Sequence, residues 1–118
     1  MEIRDFTHEE KAALVGLVEF LIESDQSAST EELAQVRSLE NILGSDDYRA
    51  LALEVDKQVS GEDGLRKFLT TIKRQEVREL ILEKAIEAAI PEGIRGRESS
   101  MLNWLKSEWG VDINFPES

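Results

Sequence analysis

The 118-residue chain contains no cysteine and a single histidine. Without cysteine, disulfides, thiolate metal ligands and cysteine nucleophiles are excluded. His8 stands in the first turn of a predicted helix, where a lone histidine is typically solvated, and no histidine-based triad can be assembled around it. The spacing around Gly61 and Gly64 does not match a phosphate-binding loop. We therefore expect a protein that is not an enzyme, with a cryptic carboxylate-based hydrolase as a distant alternative.

Long apolar runs are also missing. No stretch reaches the roughly 18 to 20 residues that span a bilayer, and the amino terminus lacks the basic region and apolar run of a signal peptide. We expect a soluble cytoplasmic protein without membrane insertion.

Positive charge is scarce, since 14 Lys and Arg residues face 25 Asp and Glu residues and give a net charge of -11. Nucleic-acid affinity depends on Lys and Arg displacing counterions, so nucleic acid is not an expected partner. One basic segment is a local exception, formed by Arg66, Lys67, Lys73, Arg74 and Arg78. On an acidic body we expect such a segment to form a solvated helix face that pairs with the protein's own carboxylates.

What the sequence does contain is a globular balance of 41% hydrophobic and 33% charged residues. The length predicts a single compact domain over residues 1–118, with a C-terminal tail at 111–118. Apolar residues recur at helical spacing, and no segment shows the period-2 alternation of a strand. The predicted fold class is all-α, with about six helices.

The first three helices carry recognisable start signals. Thr7 and Glu10 form a predicted capping box at the start of a central, widely apolar helix. Ser29 and Glu32 repeat this signature before a second, amphipathic helix that runs to Gly44, a predicted left-handed stop. The third helix is expected to be capped by Ser45, with acidic residues in its first turn.

The second half of the chain has weaker boundaries. A turn at Ser60-Gly61-Glu62-Asp63-Gly64 is expected to end the third helix, before a short fourth one. The junction at Thr71 to Gln75 carries no strong cap and fits either a break or a kinked continuous helix. The fifth helix is predicted from Gln75 to Ile90, and Gly110 is expected to close the last.

Two acidic loops echo each other, at Ser24 to Glu32 and at Ile90 to Glu98. With Asp25 placed over Glu92 the two stretches align without a gap. Each leaves a widely apolar helix and enters an amphipathic one. We therefore predict two helix-loop-helix units with a pseudo-twofold relation.

The chain here resembles the tellurite-resistance TerB-like family, all-helical domains whose repeats carry an acidic loop of the form Asp-Gly-x-x-Ser-x-Glu-Glu. The first copy reads Asp25-Gln26-Ser27-Ala28-Ser29-Thr30-Glu31-Glu32, with Gln26 where the family commonly has glycine. The second reads Glu92-Gly93-Ile94-Arg95-Gly96-Arg97-Glu98, with Glu92 for aspartate and no capping serine. The resemblance implies a non-enzymatic module associated with tellurite or other chemical stress, in which the acidic loop residues are candidates for divalent-cation binding.

The candidate ligands for Ca²⁺ or Mg²⁺ are the loop carboxylates, namely Asp25, Glu31, Glu32, Glu92 and Glu98. The alternative is local: these residues stabilise turns and occupy first helical turns because the helix dipole favours negative charge there. The loops also fail the EF-hand spacing, because the twelfth position from Asp25 is Val36. The sequence leaves both interpretations open.

The predicted function is a non-catalytic TerB-like binding or scaffold module with an unidentified protein partner. The alternative is a metal-free protein-interaction domain that uses an apolar groove near Trp104 and the tail. Of the two tryptophans, Trp109 is predicted as a core anchor and Trp104, slightly off the apolar stripe, as the one that faces a partner. The sequence indicates no oligomeric state.

Overall fold

The computed structural model describes residues 2–23, 30–89 and 96–113. These residues form a short 3₁₀ helix at Ile3–Asp5 and six α-helices: α1 (His8–Glu23), α2 (Thr30–Leu43), α3 (Ser45–Gln58), α4 (Gly61–Leu69), α5 (Gln75–Ala89) and α6 (Arg97–Trp109). The described ranges contain no strand, so the all-α prediction is confirmed. The Cα radius of gyration is 13.0 Å, close to the value of about 13 Å expected for a globular domain of this size.

Helix α1 is the centre of the core. It packs against α3, α4 and α5, which explains why its apolar arc is wider than that of a surface helix. Its side chains with no exposure at all are Ala13, Leu14, Val15, Leu17, Val18 and Leu21. The predicted central position of this helix is confirmed.

The predicted capping box at the start of α1 is present. The backbone N–H of Thr7 donates to Glu10 Oε1 at 2.7 Å, and the N–H of Glu10 donates to Thr7 Oγ1 at 3.3 Å. Two backbone donors that the first turn cannot satisfy internally therefore have side-chain partners.

Helix α5 is the second element that is buried on most of its surface. Its fully enclosed side chains are Val77, Ile81, Leu82, Ala85 and Ala89. Glu79, Glu83 and Glu87 are exposed, as their spacing of four residues predicts for one solvated face. This helix packs mainly on α1, so the core is built around that pair.

Two predicted boundaries are wrong. Helix α3 begins at Ser45 with Gly44 as its N-cap, so Ser45 does not cap it. Gly44 has the positive φ (93°) expected of a glycine that ends a helix, but its ψ of 135° lies outside the left-handed helical region. The segment Ser60 to Gly64 is not a turn, because α4 begins at Gly61. Glu62 and Asp63 occupy the first turn of α4, where the helix dipole stabilises them.

The uncertain junction is a break rather than a kinked continuous helix. Helix α4 ends at Leu69 and α5 begins at Gln75. Trp109 links the end of α4 to the start of α5. Its Nε1 donates to the Leu69 carbonyl at 3.1 Å, and its own carbonyl accepts from Gln75 Nε2 at 3.1 Å. Trp109 is 2% exposed, so its predicted place in the core is confirmed.

The C-terminal closure follows the sequence. Gly110 adopts φ 63° and ψ 37°, the left-handed conformation that glycine accepts without steric cost. After it Val111 is buried, and residues 114–118 of the predicted tail lie outside the described ranges.

The predicted pseudo-twofold relation stays a prediction, since most of both acidic loops lies outside the described residues. Among the described helices, none combines the length and apolar composition that crossing a bilayer requires.

Candidate functional site

The five predicted cation ligands are placed only in part. Asp25 and Glu92 lie outside the described residues. Glu31 and Glu32 belong to the first turn of α2, but their side chains are not among those described. Glu98 lies in the first turn of α6 and is 2% exposed, an unusual degree of burial for a glutamate. Cation binding by these five carboxylates therefore stays a prediction.

Elsewhere in residues 2–23, 30–89 and 96–113, no three carboxylate or imidazole groups are arranged to hold a metal ion.

His8 lies on the surface, as predicted, with 61% of its side chain exposed. Its Nε2 is 2.5 Å from Glu54 Oε2, and the other oxygen of Glu54 accepts from Gln58 Nε2 at 3.1 Å. The three side chains line a cavity of about 170 Å³ between α1, α3 and Phe68 of α4. Its described lining offers no hydroxyl that an imidazole could activate as a nucleophile.

The three arginines of the basic segment contact other groups of the protein. Arg74 forms an ion pair with Glu10, and the guanidinium of Arg66 lies 4.8 Å from the ring centroid of Trp104. Arg78 Nε donates to the Ile72 carbonyl at 2.8 Å. Arg74 therefore pairs with a carboxylate of the protein itself, as predicted for this segment, whereas Arg66 and Arg78 contact a ring and a backbone carbonyl.

Trp104, the predicted partner-facing tryptophan, is half-buried. One face of its ring carries the Arg66 guanidinium in a cation–π contact. A partner surface centred on this ring stays a prediction.

Two larger cavities open on the described surface. One, of about 300 Å³, lies between the amino-terminal 3₁₀ helix, α2 and α5, and its lining mixes charges of both signs with apolar residues, namely Glu2, Ile3, Arg4, Ile42, Leu80 and Lys84. Ile42 is 46% exposed there. The second, of about 290 Å³, lies between α1, α3 and α4 and carries charges of one sign only.

We call this second cavity the acidic groove. Its lining residues are Gly16, Glu19, Phe20, Val55, Asp56, Val59, Gly61, Glu62 and Leu65. Apolar side chains from all three helices contribute to it, and its charged members are three carboxylates, with no lysine or arginine among the described lining residues. The groove is therefore both apolar and electronegative.

Gly16 is the point where α3 and α4 come closest to the backbone of α1 within the groove lining. A Cβ atom at this position would lie 3.2 Å from both Leu65 Cδ1 and Val55 Cγ1. Side chains of both α3 and α4 therefore approach the backbone of α1 closely at this glycine.

The carboxylates of the rim are held by different elements. Glu19 of α1 accepts a hydrogen bond from the hydroxyl of Tyr48 at 2.7 Å, which fixes its position relative to α3. Asp56 is exposed on α3, and Glu62 is half-buried in the first turn of α4. The rim is therefore presented by three helices that the core holds in fixed relation.

Sequence reasoning missed this groove. Its residues are scattered between positions 16 and 65, and an acidic chain offers too many carboxylates to single out Glu19 and Asp56. The one available signal was Gly16, which interrupts an otherwise continuous apolar helix. Comparisons of the chain with protein-family models, with curated proteins and with solved structures found no match, so the geometry of the site is what any assignment of function must start from.

Proposed function

We propose that this chain is a non-catalytic binding module that holds another protein in the acidic groove. The observation that supports the proposal is the composition of the lining, whose described residues combine apolar side chains with three carboxylates and include no lysine or arginine. A module of this kind is also what the resemblance to the TerB-like family implies.

Apolar contact supplies the attraction in such a groove. Burying one aliphatic or aromatic side chain of a partner is worth roughly 1.5 to 3 kcal/mol, and the volume of about 290 Å³ is roughly twice that of a cavity that holds benzene. One or two anchoring side chains therefore fit. Because association itself costs several kcal/mol, a contact of this size corresponds to a transient complex.

Site-specific photocrosslinking in the cells that express the protein tests the proposal. A photoreactive phenylalanine analogue replaces exposed Asp56 at the rim, and the matched control carries it at exposed Glu79 on α5. We expect a discrete adduct with another polypeptide from position 56 and none from position 79. Adducts of equal yield and pattern from both positions, or none from position 56, would contradict a binding role for the groove.

Divalent-cation binding by the acidic loops is the second proposed function, in the chemical-stress context that the resemblance implies. Glu98, in the first turn of α6, is the candidate ligand whose side chain is described, and at 2% exposure it is a carboxylate enclosed beside one of the two loops. A calcium and a magnesium titration followed by thermal unfolding tests it. A cation at ten times its dissociation constant should stabilise the folded state by about 1.4 kcal/mol.

The control for this titration is the variant with Asp25→Ala and Glu92→Ala together. No shift at millimolar cation, or an undiminished shift in the double variant, would remove the cation proposal and leave the metal-free interaction domain.

A further inference from the structure

We infer that the occupant of the acidic groove is a basic amphipathic helix of a partner protein, with an apolar stripe that meets the groove floor and lysines or arginines that meet the rim. The inference rests on the proposed binding function and names the chemistry of its partner.

The shape of the groove favours a helical segment. The described residues present no strand to whose edge an extended peptide could add, so recognition by strand addition has no template there. The apolar contacts are instead offered by side chains of three packed helices, including Phe20, Val59 and Leu65. Such a surface receives residues that recur every three or four positions on one face of a helix.

The negative charge of the groove favours a positively charged partner. The carboxylates of Glu19, Asp56 and Glu62 line the groove from three different helices, so they do not mark the end of a single helix. The chain as a whole carries a charge of -11, which repels anionic lipid headgroups and phosphate backbones. A cationic polypeptide is the partner that both the local and the overall charge attract.

A second copy of this chain fits less well. It would bring the same net charge of -11, and the arginines of its basic segment already have partners within the protein: Arg74 with Glu10, Arg66 with the Trp104 ring, and Arg78 with the Ile72 carbonyl. Self-association is therefore an outcome that the test must detect rather than the expected one.

Three synthetic peptides of about 18 residues, long enough to form a helix when bound, serve as probes. The first is a leucine and lysine sequence with leucines at helical spacing on one face. The second has the same composition with the leucines redistributed so that no apolar face exists. The third replaces every lysine of the first with glutamate. Affinity is measured by calorimetry with the full chain, and the binding site is located by NMR chemical-shift changes.

We expect the first peptide to bind at least about tenfold more tightly than the second. The third peptide should show no measurable binding. The shift changes should centre on the groove, at residues such as Gly16 and Phe20. The variant with Asp56→Lys and Glu62→Lys should weaken the first peptide by about tenfold or more, since each reversal replaces an attraction by a repulsion. Both positions are at least partly exposed, and circular dichroism verifies that the variant is folded.

The matched control is Glu79→Lys with Glu83→Lys, which makes the same change of charge on exposed positions of α5 beside the apolar Leu80. It should weaken the first peptide by no more than about twofold through the overall charge. Equal losses in the two double variants would mean that net charge alone attracts the peptide, and the inference would fall.

The remaining outcomes separate the inference from the proposed function. If the leucine and glutamate peptide binds in the groove as tightly as the lysine one, the groove binds helices but the basic partner is wrong. If the protein dimerises and the peptide does not compete, a second copy is the occupant. If no peptide binds, the inference is overturned, while crosslinking from Asp56 still decides the proposed function on its own.

Discussion

The guanidinium of Arg74 donates to both carboxylate oxygens of Glu10, with Nε 2.8 Å from Oε2 and Nη2 2.5 Å from Oε1. The Glu10 side chain is 7% exposed, whereas that of Arg74 is 46% exposed. Because Glu10 also accepts the backbone N–H of Thr7, one carboxylate caps α1 and ties it to the segment that precedes α5. The pair thus holds the amino-terminal ends of α1 and α5, the two central helices of the core, next to each other.

Replacing Glu10 with glutamine should lower the free energy of unfolding by about 1 to 2 kcal/mol. Glutamine keeps an oxygen for the capping box but loses the charge, and hydrogen bonds to charged groups are worth roughly 1.5 to 3 kcal/mol before solvent compensates the exposed arginine. Urea denaturation measures the change. Glu10→Ala should lose about 1 kcal/mol more, because the cap disappears as well.

Glu9→Gln is the matched control, since Glu9 lies in the same first turn of α1 and is exposed. This variant should stay within about 0.5 kcal/mol of the unmodified protein. If the two glutamine variants lose the same stability, Glu10 stabilises the protein through the dipole of α1 rather than through its pair with Arg74.

The same pair predicts an acid-sensitive component of stability. Arg74, and to a smaller extent the Thr7 backbone, lower the pKa of Glu10 from 4.5 to about 2, against the opposing effect of burial. A carboxyl whose pKa is lower in the folded state contributes stability that is complete above pH 4.5 and is lost as pH falls toward 2. The difference in unfolding free energy between the unmodified protein and Glu10→Gln should therefore shrink by about 1 to 2 kcal/mol between pH 6 and pH 2.

Urea titrations of both proteins at pH 6, 4 and 2 measure this difference. Subtracting one protein from the other cancels the contribution of the other carboxylates. A difference that stays constant with pH would show that the pair does not lower the pKa of Glu10 in the folded protein.

The sequence predicts local features of this fold well and distant ones poorly. The Thr7 and Glu10 capping box, the wide apolar arc of α1 and the closure at Gly110 each depend on residues within a few positions of one another. The turn predicted at Ser60 to Gly64 is wrong. Gly61 and Gly64 are usual turn residues, but the acidic residues between them also suit the first turn of a helix. There the packing of α4 on α1 decides between two local preferences.

Contacts between distant residues were not predictable. Glu10 and Arg74 are separated by 64 positions, and either could have paired with many residues in a chain rich in both charges. The acidic groove likewise depends on how α1, α3 and α4 pack together, a geometry that spacing along the chain does not encode. By contrast, the loop ligands were predicted from the two acidic loops and from what the TerB-like resemblance implies, and Glu98 is the one whose side chain the structure describes, buried in a first helical turn.

The two tryptophans of α6 should respond differently to the same substitution. Trp109→Phe removes the donor to the Leu69 carbonyl at a position 2% exposed, and should cost about 1 to 3 kcal/mol through the unsatisfied carbonyl and the lost volume. Trp104→Phe keeps an aromatic face for Arg66 at a half-buried position, and should cost less than about 1 kcal/mol. Chemical denaturation of the two variants measures both costs, and equal losses would contradict the structural role of the Trp109 indole N–H.

Gly16 should tolerate alanine but not valine. Alanine raises the helix propensity of α1 by about 1 kcal/mol, and this gain opposes the tight contact of a new Cβ, 3.2 Å from side-chain carbons of Val55 and Leu65. The two effects should leave the free energy of unfolding within about 1 kcal/mol of the original. Valine adds two more methyl groups between α1 and the helices above it, which should cost about 1 to 3 kcal/mol through overpacking. Ala50→Val, at an exposed position of α3, measures the helix penalty of valine relative to alanine. If Gly16→Val is less stable than Gly16→Ala by no more than that value, α3 and α4 do not close on α1 as described.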